Sequence, residues 1–155
     1  MIAAFYKPCG KTYEEQHKAA YELLYAAASF LDLSVGKVEK DENGKPFFPD
    51  TEGVYFSIAH ADGMAAVAIG DAKCGIDIEG ERKVSKRIRE KYLGGVNEDE
   101  ALLRWTERES YGKYEGSGFF AEPNYENVSF TTFTLNGFII TVCADKNETV
   151  EIKEI

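Results

Sequence analysis

The sequence predicts an α+β fold. Three observations predict it. Helical periodicity is confined to a few stretches, short β-rich runs alternate with turn residues, and a helix followed by strands occurs twice in the order of elements.

Residues 1–6 form a short apolar strand candidate. Over 13–31 the apolar residues Tyr21, Leu24, Tyr25, Ala28 and Leu31 recur at helical spacing, with Glu14 and Glu15 near the start, so an amphipathic helix is expected. The run DENGKPFFPD (41–50) is dense in turn formers and reads as loop. VYFSI (54–58), MAAVAIG (64–70) and CGIDIE (74–79) are short, β-rich and separated by turn residues, which predicts a meander of three strands. Val84, Ile88 and Tyr92 mark the apolar side of a second helix. Asn97 can cap a third, with Glu98, Asp99 and Glu100 placed favourably against its dipole. That helix runs through Leu102, Leu103 and Trp105 toward Lys113, and Gly116 is its expected stop. FTTFTL (130–135) and FIITVCA (138–144) flank Asn136-Gly137, a hairpin signal, and VEIKEI closes the sequence as a last strand.

A chain of 155 residues with 44% hydrophobic and 13% aromatic content fits one domain, or two small halves sharing a core. No run approaches the ~18–20 apolar residues that span a bilayer. The start lacks the basic and apolar pattern of a signal peptide. Cys9, Cys74 and Cys143 are odd in number and widely spaced, which argues against a disulfide framework or a structural zinc site. A soluble, cytoplasmic protein is expected, with no membrane partner. The formal net charge of −9 argues against general nucleic-acid binding. One segment departs from that balance. RKVSKRIREK (82–91) sets Arg82, Lys83, Lys86, Arg87, Arg89 and Lys91 against the single acid Glu90, which points to a specific acidic partner.

Asp77 and Glu79 lie two apart in an expected strand, so both project to one face while Ile76 and Ile78 face a core. Such a pair is ordinarily a solvated strand face. Its functional alternative is a hard-cation site, because magnesium takes carboxylate oxygens, water and substrate phosphates. Glu109 could supply a third carboxylate from the helix, and Lys113, one turn on, a cation for a phosphate oxygen. The bland reading of Glu109 and Lys113 is a surface i,i+4 pair worth ~0.3–0.5 kcal/mol. His60 ends a strand beside a turn, and Lys45 sits on a loop; alone, each reads as structural or solvated.

Taken in order, GKP (44–46), FSIAHA (56–61), GIDIE (75–79) and WTERESYGKYEG (105–116) resemble the signature of Sfp-type 4′-phosphopantetheinyl transferases. That family's pattern is GKP, F-x-I-S-H-S, G-[VI]-D-I-E, then W-x-x-K-E-[SA]-x-x-K-x-x-G. The resemblance implies transfer of the phosphopantetheine arm of coenzyme A to a serine of an apo acyl or peptidyl carrier protein, with release of 3′,5′-ADP. It implies a magnesium site (manganese being the alternative) at Asp77, Glu79 and Glu109. Glu109 would also be the base for the serine hydroxyl, and Lys113 would stabilise the leaving pyrophosphate oxygen. By the same resemblance His60 and Lys45 contact the nucleotide 3′-phosphate and its neighbours, and Arg108 replaces a lysine as a further cation. Lys7, Lys11 and Lys18 are candidates for other coenzyme A contacts.

The implied fold has two similar α+β halves about a pseudo-twofold axis, here trimmed, with approximate halves 1–80 and 81–155 and a monomeric state. The shorter acyl-carrier-protein synthase type forms trimers of single halves, and GKP ahead of the other motifs fits the two-half type better. Two departures stand out. The chain is shorter than such members, and Ser-His-Ser is Ala59-His60-Ala61, so two hydroxyls are missing. Their loss should weaken coenzyme A binding by ~1 kcal/mol per net hydrogen bond. Lys86, Arg87 and Arg89 are expected to dock an acidic carrier helix. The alternative function is a catalytically weakened module that binds coenzyme A or a carrier protein.

Overall fold

A computed structural model describes residues 1–116 and 122–155. Strand β1 (Ile2–Pro8) leads into helix α1 (Tyr13–Phe30), then a small hairpin of β2 (Glu39–Lys40) and β3 (Pro46–Phe47). Strands β4 (Tyr55–Ala61), β5 (Met64–Gly70) and β6 (Cys74–Gly80) follow, then helices α2 (Lys86–Tyr92) and α3 (Glu98–Glu115). Strands β7 (Val128–Leu135), β8 (Phe138–Asp145) and β9 (Val150–Glu154) complete the described elements.

Local chemistry explains where the helices begin. Thr12 and Glu15 form a reciprocal capping box that satisfies backbone donors at the start of α1. Asn97 caps α3 through Glu100 N, and Gly116 ends it in the left-handed region at φ 79°, where glycine carries no Cβ penalty. The 41–50 run is more ordered than a plain loop. Asp41 Oδ1 accepts from the backbone N–H groups of Asn43 and Lys45, which closes the β2–β3 hairpin.

Two main sheets face each other. One has the order β4-β5-β1-β9 and the other β6-β8-β7. The expected three-strand meander is therefore corrected. Strand β5 already has β4 on one side and β1 on the other, so no edge remains for β6, which pairs instead with β8. Within the first sheet the run β1-α1-β4-β5 pairs as β4-β5-β1; the run β6-α3-β7-β8 pairs as β7-β8-β6. The same strand order thus occurs twice. Strand β9 is an addition, lying parallel to β1.

The core between the sheets combines small and large side chains. Ala4, Ala59, Ala66 and Ala68 of the first sheet meet Ile76, Ile78, Ile140 and Val142 of the second. Small side chains on one face leave room for the larger ones on the other, so the two sheets can approach closely. Helix α1 covers the outer face of the first sheet with Ala20, Leu23, Leu24 and Ala27 over Phe5, Val67 and Ile69. Helix α3 covers the outer face of the second. All three cysteines are free. No described helix is long and apolar enough to cross a membrane.

Candidate functional site

Strand β6 crosses under α3, and three alternate residues face the helix. Gly75 meets the backbone of Ser110 and Tyr114 so closely that any Cβ would collide with it. Asp77 comes next, with Lys113 Nζ 3.6 Å from its Oδ1. Glu79 follows, accepting from the Trp105 indole N–H at 3.0 Å and from Arg82 Nε at 3.3 Å. The Arg82 guanidinium lies over the Trp105 ring, 5.5 Å from its centre. The strand period of two and the helix spacing of 105, 109 and 113 therefore set the acids of β6 along one stripe of α3.

Asp77, Glu79 and Glu109 line one cavity of about 550 Å³, together with His60, Gln16 and Arg82. Asp77 is 7% exposed. Burial pushes its carboxyl up to about 7, with Lys113 opposing and the charges of Glu79 and Glu109 adding to the rise. Its Oδ2 is buried without a hydrogen-bond partner. Burial likewise raises Glu109, against the pull of Lys113. Lys113 also donates to the Ile58 carbonyl at 3.3 Å, bridging the two sheets.

Among the described residues no three carboxylate, histidine or cysteine groups close on one point as a finished metal cage. The donor set nevertheless suits a hard cation: three carboxylates share a cavity, and one buried carboxylate oxygen lacks any partner.

His60 stands on the same cavity wall, but it is not a lone histidine. Its Nδ1 is 2.9 Å from Gln16 Oε1, and the rings of His17 and Tyr13 lie 6.4 and 5.4 Å away. Burial lowers its pKa, and the charges of Lys113 and His17 lower it further. Sequence reasoning missed Gln16, although a signal existed. Position 16 falls on the stripe that α1 buries with Ala20, Leu23 and Ala27, so an amide there breaks an otherwise apolar face.

Lys45 and Arg108 are placed apart from the acids. Lys45 Nζ donates to the carbonyls of Lys113 at 2.5 Å, Cys74 at 3.3 Å and Tyr114 at 3.4 Å, so it caps the C-terminal end of α3. Burial lowers its pKa. Together with Lys113, Phe56 and Ile58 it lines a separate cavity of about 240 Å³. Arg108 Nη1 donates to the Tyr92 carbonyl at 2.6 Å and to Glu122 at 2.8 Å, in a third cavity beside Arg104 and Tyr125.

Lys7, Lys11 and Lys18 are exposed, and Lys18 lies 3.8 Å from Glu22. On α2, Lys86 and Arg87 are exposed, whereas Arg89 is half-buried and donates to the Val96 carbonyl at 3.3 Å. The missing hydroxyls are also not equivalent. Ala59 packs between the sheets, and only Ala61 lines the acidic cavity.

No family model matches the chain. Among curated proteins it is similar to the 4′-phosphopantetheinyl transferase Sfp of Bacillus subtilis (strain 168), at 28% identity over 100 residues. The match takes in 57% of this chain and 45% of that relative, so the chain spans less than half of the relative's length. The relation is distant, and at that coarse level it supports a place in the phosphopantetheinyl transferase superfamily.

Proposed function

We propose that this protein transfers the 4′-phosphopantetheine arm of coenzyme A to a serine of an apo acyl or peptidyl carrier protein, releasing 3′,5′-ADP. The observation that carries the reading is the shared cavity of Asp77, Glu79, Glu109 and His60, with Lys113 beside Asp77. Asp77, Glu79 and Glu109 would hold magnesium or manganese, and the ion, when bound, supplies charge neutralisation at the pyrophosphate. The unpartnered Asp77 Oδ2 supports this assignment.

The remaining roles fall to the chain's own groups. Glu109, made more basic by its burial, takes the proton of the serine hydroxyl. As the serine oxygen bonds to the phosphorus of the arm, the pyrophosphate P–O bond breaks and its electron pair leaves with 3′,5′-ADP. Lys113 holds the charge growing on that oxygen. His60 meets a phosphate of coenzyme A. Lys45 and Arg108 are weaker candidates for such contacts, because both already serve other partners.

The exposed Lys86 and Arg87 dock an acidic carrier helix, while Arg89 holds α2 to the Val96 segment. The repeated strand order supports two related halves in a monomer, with β6 opening the second half rather than closing the first.

Intact-mass analysis of a panel of apo carrier proteins, incubated with the protein, coenzyme A and Mg²⁺, tests the reading. A phosphopantetheine-sized gain is expected, and Glu109→Gln should slow it by ~10²–10⁴-fold. A second reading, a binding module that holds coenzyme A or a carrier without transfer, is favoured by the commitment of Lys45 and Arg108 elsewhere. Coenzyme A binding without mass gain on any carrier would select it.

A further inference from the structure

The amide of Gln16 is oriented by its surroundings. The side chain is 6% exposed, and its Nε2 lies 2.9 Å from the Lys11 carbonyl and 2.8 Å from Asp62 Oδ1. Both partners accept hydrogen bonds only, so the amide nitrogen must face them. The amide oxygen is left to face His60 Nδ1 at 2.9 Å. A carbonyl oxygen accepts only, so Nδ1 must carry the proton. No hydrogen bond among the described residues reaches the other ring nitrogen, Nε2, and the ring lies on the wall of the acidic cavity.

We propose that Gln16 is a positioning residue that locks His60 in its Nδ1–H tautomer and leaves Nε2 as the nitrogen that meets ligand. The lock serves both charge states of the ring. Neutral His60 offers a lone pair at Nε2. A proton arriving there makes an imidazolium whose Nδ1–H still rests on Gln16 and whose Nε2–H points to an anionic oxygen. The ring changes from acceptor to donor without turning. The groups facing it are Tyr13 and His17 from α1, Lys113 from α3, and Asp62 through Gln16. That Nε2 meets a phosphate of coenzyme A rests on the function proposed above; the tautomer does not.

The test is therefore made first on the protein without ligand. Two-bond ¹⁵N–¹³C correlations of the histidine rings at neutral pH should show His60 protonated at Nδ1. In Gln16→Leu the ring should pass to the Nε2–H form. Gln16→Met fills a similar volume without offering an acceptor, so it too should pass the ring to the Nε2–H form. A parent His60 in the Nε2–H form would overturn the proposal, as would Nδ1–H retained in Gln16→Leu. If Gln16→Leu does not fold, the parent spectrum and Gln16→Met still decide.

The second readout is kinetic. Gln16→Leu should raise the KM for coenzyme A about tenfold with kcat little changed, the loss of one oriented hydrogen bond. A correct tautomer in a protein that transfers nothing would refute the proposed function and leave the lock standing.

Discussion

Gly75 has no room for a side chain because the Ser110 carbonyl of α3 rests on its Cα. That contact fixes the distance between β6 and α3, and with it the approach of Asp77 and Glu79 to Glu109 and Lys113. Gly75→Ala would have to push against helix backbone, which cannot rotate away. A loss of at least ~3 kcal/mol is expected, the upper end of overpacking costs. Gly36→Ala is the control, since its nearest neighbour would be 3.9 Å away. Equal denaturant midpoints for the two variants would contradict this account.

Asp77 supplies a pH signature. Its folded pKa, about 7, lies above the ordinary aspartate value of 3.8, so between those values the native state holds more protons than the unfolded chain. Stability from this group is therefore greatest at low pH and falls as pH rises from the ordinary value toward 7. Asp77→Asn should melt above the parent at pH 8 and match it near pH 4, while losing activity. Added Mg²⁺ should raise the parent's melting temperature at pH 8 and leave that of Asp77→Asn unmoved. Parallel pH profiles for the two proteins would show that the carboxylate is not under strain.

Lys45 separates structure from ligand binding. Its ammonium satisfies carbonyls at the end of α3, so Lys45→Met should cost ~1–3 kcal/mol of stability. With these bonds as its main duty, the variant should keep its KM for coenzyme A within about threefold under conditions where it is folded. A large KM rise with unchanged stability would return Lys45 to the phosphate site.

The basic helix divides in the same way. Arg87→Glu should raise the carrier KM several-fold and flatten its dependence on salt, because an exposed charge acts through steering. Arg89→Ala should lower the melting temperature instead, since its guanidinium holds the Val96 carbonyl. A carrier KM indifferent to Arg87→Glu would remove α2 from the docking surface.

Much of this was legible in the sequence because local rules decided it. Asn97 and Gly116 bracket α3 as their capping chemistry requires, and Asn136-Gly137 makes the turn between β7 and β8. The alternation of Ile76, Asp77, Ile78 and Glu79 gave the acid face correctly. What failed was long-range. Nothing in residues 64–79 tells that β1 takes the edge of β5 and turns β6 away to β8. The partners of Lys45, 68 and 69 residues along the chain, were equally hidden. Gln16 was readable only as a flaw in an apolar stripe, and the pattern could not say which side chain that flaw would serve.

The placement of β9 has a consequence for the order of assembly. Its partner β1 lies at the other end of the sequence, and Ile2 pairs with Val150. On the ribosome the outer edge of β1 stays without this partner until residues 150–154 have emerged. An open edge of this kind is where stray strands add. Its closure is also the longest-range pairing in the described fold, hence the slowest to find by chain diffusion. Pulse-labelled hydrogen exchange should therefore protect Val67 in the β4–β5–β1 sheet before Ile152. The first sheet is in effect zipped from one side and latched later from the other, and a chain stalled before residue 150 would be left with the outer edge of β1 uncovered.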